Sequence, residues 1–437
     1  MRALALIDGE HYAPVVKAAL EELPYEFVAA HVVGGTEKLR EDADYGVAVA
    51  ADLGAALADL RPEVVVDLSD EPVLGPRERF RLASRVLAAG LPYVGADFRF
   101  DPPELGPFPL PSIGIVGTGK RVGKTAITAH AARLYAREHK VVVVAMGRGG
   151  PPEPEVAEVA PDIDALLELS RSGRHAASDY LETAALAGVP TVGCRRCGGG
   201  LAGSVAVSNV REGAQLAVEL EPDLVLFDGS GAAIPPIETA RRILVVNGAT
   251  DPDVATGYLN EYRHLVSDLV ILTMAERGTG WEELHGRALA LAPTVIPTTL
   301  RPRPAADVEG RKVAFFSTAP ETAHKLFAAH LAEEYGADVV HVSGALADRG
   351  TLRTELETVD ADVYLVELKA AAIDVVAEAA SGRGVEVVLA GSDVLTADGQ
   401  DLDAELLRLA AEAISGVGST EPPGAEAPAL PAPEREQ

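Results

Sequence analysis

SIGIVGTGKRVGKTAITAHAARLYA, residues 112–136, is the stretch on which the fold turns. A β-type run from Ser112 to Val116 feeds a glycine-bearing loop, and the loop feeds a helix opened by Lys124 and Thr125. Gly117, Gly119 and Gly123 have no Cβ. Together with Thr118, Lys120 and Val122 they let backbone N–H groups close round an anion at the positive end of a helix. Lys124 would reach the β- and γ-phosphates of a nucleotide, and the Thr125 hydroxyl would ligate Mg²⁺. A glycine-rich turn with a chance Lys-Thr pair is the bland alternative. The strand before the loop and the helix after it argue against that alternative, and the stretch predicts a nucleotide-binding domain.

The spacing is not the common one. A standard Walker A loop wants glycine at position 118; here that residue is Thr118 and the glycine lies one further back, at Gly117. The pattern GTxxxVGKT resembles the loop of dethiobiotin synthetase and its ATP-dependent relatives. Downstream, EPDLVLFD (221–228) is a continuous apolar run that ends on a carboxylate. Asp228 is the expected Mg²⁺ ligand, directly or through water, and Asp223 at the start of the run is read as structural. The guanine-reading NKxD signature is absent at NGAT (247–250), which favours ATP over GTP.

The rest of the chain divides around this domain. Before it, apolar runs at 3–7, 27–33, 64–68 and 93–95 alternate with helical stretches, so residues 1–100 read as a Rossmann-like α/β domain. Asp8, Glu10, His11, Glu37 and Lys38 lie where such strands end and are candidates for a site there, with loop polarity and capping as the competing account. Residues 101–111 read as a proline-rich linker, and 112–300 as the P-loop synthetase domain. A second run of βα units over 301–417 reads as a C-terminal α/β domain or a continuation of the sheet; 418–437 reads as a disordered acidic tail. The fold class is thus α/β, a central P-loop domain with a mainly parallel sheet flanked on both sides.

Arginines at strand ends supply the candidate substrate contacts. Arg148 stands among glycines in AMGRGGPPEPE, after the strand that begins near Lys140. Arg174 and His175 precede a helix for which Ser178 is the expected N-cap. Arg195 and Arg196, followed by three glycines, read as a compact cationic loop suited to bidentate phosphate binding.

Composition narrows the partners. At 437 residues two or three domains are expected, and a formal charge of −28 disfavours nucleic acid or an anionic membrane as the main partner. No apolar run has the length of a membrane span and MRALALIDGE has no signal-peptide pattern, so a cytoplasmic protein is expected. Cys194 and Cys197 are the two cysteines, too few to complete a zinc site unaided. A homodimer is expected because two-fold symmetry is the commonest assembly.

VGTGKRVGKT, AMGRGGPPEPE, HAASDYLE, GCRRCGGG with VSNVREG, and FDGSG together resemble the cyclic 2,3-diphosphoglycerate synthetase family over nearly the whole chain except the tail. The resemblance implies an ATP-dependent, Mg²⁺-requiring enzyme, with K⁺ dependence carried over from the family. It would close 2,3-diphosphoglycerate into a ring through an intramolecular phosphoanhydride. Lys124, Arg148, Arg195 and Arg196 are the expected catalytic cations, with Lys120, Arg174 and His175 as further contacts. The alternatives are a synthetase or kinase for another phosphorylated or carboxylated metabolite, and a regulatory ATPase of the partitioning type. That last class carries an extra lysine where this chain has Gly119.

Overall fold

The structure is a computed structural model and describes residues 1–35, 37–40, 43–161, 163–171, 179–368 and 373–416. The candidates Arg174 and His175, the expected cap Ser178 and the expected tail lie outside the described residues.

The first sheet has Arg2–Asp8 at its centre. Glu26–Gly34 and then Val49–Ala50 pair on one side, Val64–Asp67 and Tyr93–Val94 on the other, all parallel. The chain leaves the central strand to one side and later to the other, which opens a crevice between the carboxyl ends of Arg2–Asp8 and Val64–Asp67. Two pieces depart from the sequence reading. Helix Leu53–Leu60 is capped by Asp52, which accepts from the Ala55 amide, and Arg99–Phe100, just before the proline-rich stretch, is an antiparallel edge strand.

In the second sheet the P-loop strand Ser112–Gly117 lies between Leu224–Asp228 and Arg241–Asn247. Val141–Gly147 and Thr191–Cys197 extend it one way, Leu269–Thr273 and Val295–Pro304 the other, all in parallel. These strands are covered on both faces, which is why they read as unbroken apolar runs. Val295–Pro304 is the joint with the C-terminal region. From Thr298 onward it pairs antiparallel with Glu386–Thr396, beyond which Val363–Glu367, Lys312–Phe316 and Asp338–Ser343 follow in parallel. The two parallel sets therefore run in opposite directions, with their carboxyl ends directed toward each other.

Helix Leu402–Ser415 returns to the P-loop layer. Leu402, Leu406, Leu409 and Ala413 share a core with Ile113, Ile115 and Ile127, because their helical spacing puts them in one stripe that this sheet face covers. The N-terminal layer docks through helix Pro76–Ala88 on the short helix Asn260–Leu265. Ser84 Oγ donates to the Tyr258 carbonyl at 3.0 Å, and Arg85 and Arg81 approach the buried Glu261 carboxylate at 3.7 and 3.9 Å. Among the described residues no helix is long and apolar enough to cross a membrane.

Candidate active site

The P-loop is held in shape by its neighbours. Gly123 (φ +81°) occupies the left-handed region, and a Cβ there would lie 2.8 Å from Leu300 Cδ1 and 3.1 Å from Thr273 Cγ2. Only glycine fits both the dihedral and the space. The buried Thr273 hydroxyl donates to the Val122 carbonyl at 2.7 Å, and the Thr118 amide donates to Val245 O at 3.2 Å. At Gly117 a Cβ would meet the Gly231 carbonyl and Val122 Cγ2 at 3.0 Å, so the P-loop and the loop after Asp228 lie against each other. Lys120 and Arg121 are exposed at the loop tip.

Asp228 ends its strand almost fully buried, with one carboxylate oxygen accepting from Lys124 Nζ at 2.5 Å and from Thr128 Oγ1 at 3.1 Å. Burial pushes this carboxyl above the ordinary value. Lys124 opposes the shift, Asp179 adds to it as a second negative charge, and Thr128 opposes it. Asp179 opens helix Asp179–Ala187, and its carboxylate lies 3.0 Å from where a Gly147 Cβ would stand, at the end of the neighbouring strand. Nothing in HAASDYLE, which contains Asp179, marks that residue as part of the site. The Thr125 hydroxyl with one or two carboxylates is the hard-oxygen donor set that Mg²⁺ takes beside nucleotide phosphates, so these residues fit the ion. Asp223, by contrast, accepts from the Lys140 amide at 2.7 Å and ties two strand starts together.

The paired arginines differ from their sequence reading. Arg195 and Arg196 are on the strand Thr191–Cys197, not in a loop, because the apolar run continues into an antiparallel ribbon with Val207–Ser208. Neighbouring residues on a strand face opposite ways. Arg196 Nη2 donates to the Ser230 carbonyl at 2.8 Å and Nη1 to Gly198 O at 2.9 Å, whereas the Arg195 side chain is exposed and its amide donates to Asn209 Oδ1. Arg148 joins Arg196: a Cβ on Gly231 (φ +60°) would lie 2.7 Å from Arg148 Nη2 and 3.7 Å from Arg196 Nη2. Burial and then the nearby Arg148 charge lower the pKa of Arg196, and its Nε is buried without a protein acceptor. Two guanidiniums and an unused donor thus converge over the Asp228–Gly231 turn beside the P-loop, an arrangement suited to a polyanion.

The N-terminal candidates form a separate group. Asp8 is fully buried, accepting from the amides of Glu10, His11 and Asp70 and from the His11 ring. Burial would raise its pKa, but the Asp70 amide and His11 outweigh this and hold it below the ordinary value. Glu10 accepts from the Glu37 amide at 3.3 Å, and Lys38 lies over the Tyr12 ring. These contacts brace the loops around the crevice. Of the cysteines, Cys194 is buried, its thiol pushed up to about 12 by burial, with Sγ in the space that a Gly213 side chain would fill. Cys197 is exposed on the other face of the strand, so the two do not form a pair.

Residues 2–101, 112–290 and 304–393 match the family models described as the N-terminal, P-loop and C-terminal domains of cyclic 2,3-diphosphoglycerate synthetase. The protein of that name from Rubrobacter xylanophilus is 52% identical over 95% of this chain and 98% of its own length. Those from Thermococcus gammatolerans and Methanothermus fervidus are 42% and 41% identical, over 93% and 89% of this chain and 96% and 91% of theirs. The solved structure of LpxK from Aquifex aeolicus in complex with ATP overlaps only loosely (TM-score 0.41, 15% identity, 70% of this chain and 90% of that one). A P-loop braced beside a buried carboxylate and two converging arginines, in a chain matched along most of its length, places this protein in the cyclic 2,3-diphosphoglycerate synthetase family.

Proposed function

We propose that this chain is a cytoplasmic, homodimeric enzyme that converts ATP and 2,3-diphosphoglycerate to cyclic 2,3-diphosphoglycerate, ADP and inorganic phosphate. The observation that carries the proposal is the buried, unpartnered Nε of Arg196 beside Arg148, next to the Lys124–Asp228 pair. An oxygen of one substrate phosphate attacks the γ-phosphorus of ATP and ADP leaves. The second substrate phosphate then attacks the first at phosphorus. The bond to the transferred phosphoryl group breaks, that group departs as inorganic phosphate, and the new P–O–P bond closes the ring.

Bringing two phosphate dianions together is strongly repulsive, so a cluster of fixed cations in a partly desolvated cleft is the main requirement. Arg148 and Arg196 serve that role, while Lys124 and the loop amides hold the γ-phosphoryl group. Arg195, Lys120, Arg174 and His175 are further contacts for the substrate phosphates. Mg²⁺ on Thr125 and Asp228, with Asp179 near by, would neutralise charge on the β- and γ-oxygens. A K⁺ requirement rests on the family alone. We take 1–100, 112–300 and 301–417 as the domains, joined by 101–111 and followed by the tail 418–437.

³¹P NMR of the protein with ATP, Mg²⁺, K⁺ and 2,3-diphosphoglycerate tests this directly. A new phosphoanhydride resonance growing with ADP and phosphate is the expected result. ATP hydrolysis without that resonance at saturating substrate would refute it.

A further inference from the structure

Arg263 is buried, at 2% exposure, in the short helix Asn260–Leu265. Its guanidinium makes five hydrogen bonds, one for each N–H. Nε and Nη2 donate to the Ala232 carbonyl at 3.1 and 2.8 Å, Nη2 also to Leu201 O at 3.1 Å, and Nη1 to Leu259 O at 2.9 Å and Asn260 Oδ1 at 3.3 Å. None of these acceptors is a carboxylate. A buried cation held by neutral acceptors is a costly way to fill space, and an apolar side chain would do that better. Burial lowers its pKa only to about 10, so it stays charged at neutral pH.

The carbonyls it spans belong to the two loops that follow the strands of the site. Leu201 is in the loop that follows the Arg196 strand, and Ala232 in the turn that follows Asp228. The same loops are joined by the Ile234 amide donating to Gly203 O at 2.8 Å, and by Arg196 donating to Ser230 O. A Cβ on Gly203 would lie 2.7 Å from Ile234 Cγ1, so the loops are already packed close. Each loop continues a strand that carries one member of the active centre.

We infer that Arg263 is a positioning residue: its planar fork bridges the Leu201 and Ala232 carbonyls and sets Arg196 against Asp228 and the P-loop. It touches no substrate. On the same short helix Glu261 faces Arg85 and Arg81 of the N-terminal layer, so docking of that layer bears on the element that clamps the loops. The kinetic part of this inference rests on the proposed cyclisation; the structural part does not.

The test compares Arg263→Lys and Arg263→Met with the wild-type protein. Lysine keeps the charge but has no planar fork. We expect both variants to bind ATP within about twofold of wild type, with cyclisation at least tenfold slower and a raised KM for the diphosphorylated substrate. Backbone hydrogen exchange should rise in 198–206 and 229–234 but not in 112–136. Lysine restoring wild-type kinetics and exchange would overturn the inference, as would faster exchange spread evenly over the domain. If Arg263→Met does not fold, Arg263→Lys decides alone. If the wild-type protein makes no cyclic product, the proposed function fails while the exchange pattern still tests the clamp.

Discussion

Replacing Lys124 by methionine should cost stability as well as catalysis, and the two losses separate with pH. The Lys124–Asp228 pair is 2.5 Å long, with side chains 12% and 2% exposed. Removing one partner of a buried pair costs about 3–5 kcal/mol; since Asp228 can take up a proton, we expect the lower end, about 3 kcal/mol. Burial raises the folded-state pKa of Asp228 and Lys124 pulls it down. A carboxyl with a raised folded pKa penalises folding when ionised, so its contribution to stability falls as pH climbs from the ordinary carboxyl value through the raised one, then levels off. Without Lys124 the folded pKa rises further. The deficit of Lys124→Met should therefore be small near pH 4 and largest at neutral pH. Urea midpoints of the nucleotide-free protein at the two pH values measure it. In the double variant Lys124→Met/Asp228→Asn no buried charge is left uncompensated, and at least half the loss should return. Both variants should lose about 10²–10³-fold or more in turnover. A single variant as stable as wild type at neutral pH, or a double variant weaker than the single one, would show that the two side chains do not form a buried pair in the free protein.

Two further outcomes follow from the same geometry. Gly231→Ala puts a methyl group 2.7 Å from Arg148 Nη2 at φ +60°. Cyclisation should fall about 10²-fold from the displaced arginine, with ATP affinity unchanged by calorimetry; equal loss of both would mean that the turn serves the nucleotide instead. Asp179→Asn removes a negative charge that acts on both Asp228 and Arg196. The Mg²⁺ concentration for half-maximal rate should rise about 10–100-fold, and an unchanged Mg²⁺ titration would rule Asp179 out of the metal's surroundings.

The sequence alone determines whatever depends on local backbone chemistry. Gly117, Gly123, Lys124 and Thr125 announce a phosphate loop because a close backbone approach at Gly117, a left-handed φ at Gly123, a helix N-terminus and a lysine at its start leave a pattern within a dozen residues. Asp228 is legible in the same way, as the terminal carboxylate of an unbroken apolar strand. Arg148 stood out as a cation at a strand end, and the structure brings it to the turn over Gly231.

The remaining features depend on which strands pair and which way side chains face. Whether Arg195 or Arg196 turns toward Asp228 is a matter of strand parity, and glycines after Cys197 made a strand look like a loop. Asp179 lies far along the chain from Asp228 and meets its field only through parallel pairing of the strands between them. The helix 402–415 joins the P-loop core because its apolar stripe needs a sheet face that no neighbouring segment supplies. Arg263 had no signal at all, since an arginine in a six-residue helix looks like surface until the fold buries it. Local motifs identify the nucleotide site because their physics is short-ranged. The substrate side is assembled from separate loops, and only tertiary packing brings its charges together.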